Sequence, residues 1–117
     1  MHSAMKFMTF LLFLWVNTFA FSHAASFPCE KSQTATEHAI CQHLQLNDAD
    51  VKMATTYNIL RKLVPMGTRG VIQDQQVKWL QLRDQCHDNL KCLIEVYNMR
   101  QQKLDLYMQK IYQQGPF

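Results

Sequence analysis

The chain has 117 residues, with twelve Lys+Arg, nine Asp+Glu and four Cys. That length holds one domain at most. The charges include no clustered cations around an aromatic residue, so no nucleic-acid interface is expected, and near-neutrality gives no strong field to attract a charged partner.

The first residues read as a targeting segment. Lys6 is followed by an apolar run from Phe7 to Phe21, and Ser22-His23-Ala24 offers small residues for a signal peptidase. Cleavage is expected after Ala24, leaving residues 25–117 as the domain. The run is shorter than the roughly 20 residues that a bilayer span needs, and no Cys follows it directly, so neither a membrane anchor nor a lipoprotein is expected. Loss of residues 1–24 removes Lys6 alone among the Lys, Arg, Asp and Glu side chains, leaving eleven cations against nine acids.

Cys29, Cys41, Cys86 and Cys92 all lie beyond that segment. An even count in a small exported chain reads as two disulfides. Of the three possible connectivities, Cys29–Cys41 with Cys86–Cys92 is favoured, because each bridge closes a local loop. A Cys-x-x-Cys redox pair is absent, and Cys86-His87 with Cys41-x-His43 fits zinc-ligand spacing poorly. No cofactor is expected.

In chain order, Ala25–Gln33 reads as an extended lead. Thr34 and Glu37 form a capping box for a helix over Ala35–Gln42, with Ile40, Cys41 and Leu44 on one side. Asn47 reads as the cap of a second helix, from Asp48 to about Val64, with Met53, Tyr57, Leu60 and Val64 as its apolar stripe. Pro65 to Gly70 reads as a loop. A third helix follows from about Val71 to Gln85, its face built from Ile72, Val77, Trp79, Leu80 and Leu82, with Arg83 beside Trp79. His87-Asp88-Asn89 makes a corner. The longest helix runs from Leu90 to about Tyr112, with Leu93, Val96, Tyr97, Arg100, Leu104, Tyr107 and Ile111 inward. The fold class is all-α: a small disulfide-stapled bundle of about four helices, ending in a long helical hairpin.

Arg83 and Arg100 stand out because each falls on an apolar stripe. A buried guanidinium needs acceptors, and Asp50 and Asp84 are the candidates. His38, His43 and His87 read as surface residues. No nucleophile stands beside a base, and no carboxylate pair is marked out, so no enzyme is expected.

The same residues carry a resemblance. Cys29, Glu37-x-x-Ile40-Cys41, Leu46, Asp50 and Tyr57 match the N-terminal half of a known family. Gln76-x-x-Trp79-Leu80-x-x-Arg83-Asp84-x-Cys86 and Cys92-Leu93-x₃-Tyr97-x₂-Arg100-x₃-Leu104 match its C-terminal half. The chain resembles the LprI-like family over nearly all of residues 25–117. The resemblance implies an exported, disulfide-bonded helical domain, periplasmic or secreted, that binds a protein. It names a lysozyme as the partner, an envelope protein of another kind being the alternative. Trp79, Arg83, Asp84, Tyr97, Arg100, Asp50 and Tyr57 read as scaffold. A lysozyme cleft presents two catalytic carboxylates, so an inhibitor should offer a cation or donor. Arg69, helped by Thr68, on the expected loop is the first candidate, and His87 at the opposite corner the second.

Overall fold

The computed structural model describes residues 25–115; the expected leader, residues 1–24, lies outside them, as does Pro116. A short 3-10 turn at Cys29–Lys31 precedes four α-helices: α1 Ala35–Gln42, α2 Leu44–Leu63, α3 Met66–Asp84 and α4 Leu90–Gln114. No strand occurs among the described residues.

Two of the four helices begin at side-chain caps. The Thr34 hydroxyl accepts the Glu37 N–H at 3.1 Å. Glu37 reaches back to the Gln33 N–H at 3.2 Å, one residue earlier than the usual box. The Asn89 side chain accepts the Cys92 N–H at 2.9 Å and starts α4. Each cap satisfies a backbone donor that the first helical turn leaves free.

The other two starts differ from expectation. Asn47 does not cap α2. The helix begins at Leu44, only one residue after α1, and His43 fills the cap position with no side-chain bond. His43 is extended, which turns the chain between two helices that would otherwise run on. Asn47 is therefore inside α2 and buried, and Leu44 is 75 % exposed rather than on the side of Ile40.

The expected loop from Pro65 to Gly70 is also absent. Pro65 is the cap of α3, and Met66 to Gly70 form its first turns. A proline is tolerated there because the N–H it lacks would have no partner in the helix. Neither Gly67 nor Gly70 has a positive φ, so neither breaks the helix. The connection between α2 and α3 thus shrinks to Val64 and Pro65.

The inward face of α3 is corrected as well. Val77 and Leu82 are 58 % and 40 % exposed and Gln76 is buried, while Ile72, Trp79 and Arg83 lie inward as expected. The buried positions Ile72, Gln76, Trp79 and Arg83 keep helical spacing, but two of the four are polar. α4 buries Leu93, Val96, Tyr97, Arg100, Leu104 and Ile111, as its periodicity predicts. The core closes over Ile40, Leu46, Leu60, Ile72, Leu93 and Leu104, all fully buried. Each such side chain contributes about 1.5–3 kcal/mol relative to exposure.

Disulfides join Cys29 to Cys41 and Cys86 to Cys92. The first ties the lead to α1, and the second ties the end of α3 to the start of α4. Thr36 of α1 donates to the Asp84 carbonyl at 3.5 Å, which brings α1 against the same corner. Both staples therefore sit at one end of the molecule. The other end carries the α2–α3 connection and the end of α4.

Candidate functional site

The polar core lies between the staples and the middle of the molecule. Asp50 is fully buried. Its carboxylate accepts the Tyr97 hydroxyl at 2.7 Å and the Ser26 N–H at 2.7 Å. One acid on α2 thus holds α4 and the N-terminal lead. Burial pushes the Tyr97 phenol far above its ordinary value, and the Asp50 charge adds to this while Arg83 opposes it. Asp50 is not the partner of either arginine.

Trp79 donates its indole N–H to the Val96 carbonyl at 2.9 Å. Its ring meets Tyr97 edge-to-face at 4.9 Å between centroids, and the Arg83 guanidinium lies 6.0 Å from the indole. Arg83 pairs with Asp84 at 2.8 Å. Burial lowers its pKa, but Tyr97 and Asp84 more than offset that and raise it.

Arg100 is 2 % exposed. Its Nε donates to Gln76 Oε1 at 2.8 Å, and its Nη2 reaches the Ile72 carbonyl at 3.4 Å. Burial lowers its pKa, with Tyr107 and Tyr57 offsetting part of the effect. The expected carboxylate for Arg100 is replaced by Gln76, whose amide nitrogen also reaches Met53 Sδ at 3.3 Å. Tyr57 is half-buried against the core and lies 5.6 Å from Arg61. These side chains are engaged in bonds and ring contacts within the fold. Among the described residues no group of three His, Cys, Asp or Glu could hold a metal.

The binding candidates fall elsewhere and apart. Arg69 and Thr68 sit in the first turns of α3, half-buried. Arg69 lies with Arg61, Lys62 and Gln73 around a shallow hollow, and its Nε is buried without a protein partner. Thr68 lines a different hollow, beside Tyr107 and Lys110. His87 is exposed in the corner with φ 52°. It is separated from Arg69 by nearly the length of α3, about 27 Å. The two candidates do not form one site.

Sequence reasoning missed a long surface groove. Three hollows of about 230, 240 and 520 Å³ follow the seam between α3 and α4. Gln75 and Lys103 border the first two, and Tyr107 and Lys110 border the last two, so they make one groove. It starts beside Trp79 and ends against Val64 and Pro65. Lys103 and Lys110 are seven residues apart, two turns on one helical face, a signal that the sequence does carry.

The near-neutral total also hides an asymmetry. The contacts of Gln76 with Met53 and Arg100 mark the middle of the molecule. Residues 54–75 and 101–115, at the end away from the disulfides, hold five Lys+Arg and two Asp+Glu. Residues 25–53 and 76–100 hold six Lys+Arg and seven Asp+Glu.

A family model described as Lysozyme inhibitor LprI matches residues 29–114. The chain belongs to the LprI family. The match takes in both disulfides and all four helices. No curated protein and no solved structure matches the chain. For this LprI domain, no described helix is long and apolar enough to cross a membrane.

Proposed function

We propose that this LprI domain is exported and acts by binding a protein, inhibiting a lysozyme by occlusion rather than by catalysis. The observation that carries the reading is the family match across residues 29–114. Two disulfides support an oxidising destination, periplasmic or extracellular. The cationic end offers the chemistry that a cleft with two carboxylates would accept. Arg69, flanked by Arg61 and Lys62, is the candidate for the inhibitory cation. Thr68 is a neighbouring donor, and His87 lies too far away to join them.

The test is a cell-wall lysis assay. The exported chain, with both disulfides intact, is titrated against C-type, G-type and bacterial lysozymes. Saturable inhibition near one-to-one stoichiometry is expected for at least one class, and Arg69→Ala should weaken it at least about tenfold. No inhibition at micromolar excess would reject the lysozyme reading. The excess of cations at one end favours an acidic partner, which supports a second reading: another envelope protein, captured from periplasm by pull-down.

A further inference from the structure

We propose that the α3–α4 groove is the docking site for an acidic amphipathic helix of a partner protein. The inference extends the function to the partner's chemistry, and it stands or falls separately from lysozyme inhibition.

The groove combines three properties. First, its charged side chains are all positive. Lys78, Lys103 and Lys110 border it, and no Asp or Glu lines any of its three segments. None of the three lysines has a carboxylate partner among the described residues; Lys110 instead lies 5.7 Å from the Tyr107 ring. Second, its walls are apolar and open. Leu82, Met99, Leu106 and Val71 are 40–58 % exposed along it. These are four large side chains on one seam, where isolated exposed apolar residues would need no explanation. Third, Gln75 stands between the first two segments with Oε1 buried and no protein partner. A turn of the half-buried Gln75 side chain would bring that oxygen to the groove, where a donor on the docked helix would satisfy it.

The geometry suits a helix. The groove is the valley between two helices, and Met99 to Gln114 on its α4 wall spans about 22 Å, or four helical turns. Lys103 and Lys110 repeat at two turns, so acids seven residues apart on a docked helix would meet both. Apolar residues at the intervening three- and four-residue steps would meet the walls. A second copy of this chain fits poorly, because a two-fold contact would set the same lysines against each other. Residues 1–24 contain no acid to answer these cations.

The probe is a fluorescently labelled synthetic helix with a Leu/Ile stripe and Glu at seven-residue spacing. Its partner probe carries Lys in place of Glu. Anisotropy titration into the exported, oxidised chain should show saturable binding of the Glu helix, weakened by added salt, and at least tenfold weaker binding of the Lys helix. The double variant Lys103→Glu/Lys110→Glu should invert that preference with only a small change in melting temperature, since both side chains are exposed and only the Lys110–Tyr107 contact is lost. Equal binding of the two helices, or no binding of the Glu helix at 100 micromolar, a concentration of order 10⁻⁴ M, would overturn the proposal. So would binding to phosphatidylglycerol vesicles without binding to the helix, which would assign the groove to a lipid surface. Self-association of the chain that the double variant abolishes would assign it to a second copy and equally overturn the proposal.

Discussion

The two ends of this molecule are built differently. The end with the disulfides is closed: Cys29–Cys41 and Cys86–Cys92 staple it, and inside it Tyr97 bonds Asp50, Trp79 bonds the Val96 carbonyl and Arg83 pairs with Asp84. The other end has an apolar core under Leu60, Ile72, Leu104 and Ile111, but no staple among the described residues. It carries the cationic excess and the widest part of the groove. A small domain has limited core to hold it. Concentrating covalent and polar restraint at one end leaves the other free to present charge and apolar surface. The excess positive charge sits at one end, five Lys+Arg against two Asp+Glu, while the other end is nearly neutral, and such asymmetry favours oriented encounter with a charged partner.

The largest expected break in this contrast comes at its boundary. Gln76→Leu removes the main acceptor of the buried Arg100 guanidinium. An unpaired buried charge costs about 3–5 kcal/mol, so the urea midpoint should fall sharply. Arg100→Met, which removes the charge itself, should cost less than Gln76→Leu. The reverse order would mean that Arg100 is solvated.

Removing the corner staple comes next. Cys86→Ser/Cys92→Ser should lower stability by about 2–3 kcal/mol, the loop-closure scale for so short a loop, as read from thermal melts. Losing this bridge should leave α2–α3 packing at the other end in place once the chain is folded.

Tyr97→Phe takes one hydrogen bond from the Asp50 carboxylate, worth about 1.5–3 kcal/mol. It also has a pH signature. The folded-state pKa of Tyr97 is raised above its ordinary value of 10.0. The neutral phenol therefore contributes stability in full below about pH 10, and that contribution is lost as pH rises above it. The gap between wild type and Tyr97→Phe should narrow over that alkaline range. A gap that stays constant there would contradict a buried neutral phenol.

The smallest effect sharpens the other end. Gly70 is helical, and a Cβ added there meets nothing within 4 Å. Gly70→Ala should therefore raise stability by up to about 1 kcal/mol. If Pro65–Gly70 were a loop, as the composition suggests, the gain from helix propensity would vanish.

Much of the scaffold was legible where a local rule and the tertiary structure agree. Thr34 and Asn89 cap helices, and the α4 stripe is apolar at helical spacing, so α1 and the start of α4 could be placed from sequence. The bridges followed from short separations. The start of α2 was hidden because His43 caps it without a side-chain bond, while Asn47-Asp48 imitates a start. Pro65 misled because a proline beside two glycines reads as a loop, although the first turn of a helix tolerates it. On α3 Ile72, Trp79 and Arg83 go inward as the spacing suggests, and Arg83 finds Asp84, but Gln76 also goes inward to meet Arg100 while Val77 and Leu82 go out. The groove was not legible at all, because it depends on how far α3 stands from α4. Even then, the repeat of Lys103 and Lys110 and the uneven distribution of charge were written in the chain.

The most direct test of the division is amide hydrogen exchange of residues 25–117 with both disulfides formed. The slowest amides should be those of α4 from Val96 to Arg100 and of α2 around Asp50 and Met53, where the buried polar bonds lie on the stapled side of the core. Those of Met66 to Val71 in α3 and of the last turns of α4 should exchange faster. Equal protection at both ends, or slower exchange at the α2–α3 connection, would contradict the account of one closed end and one open end.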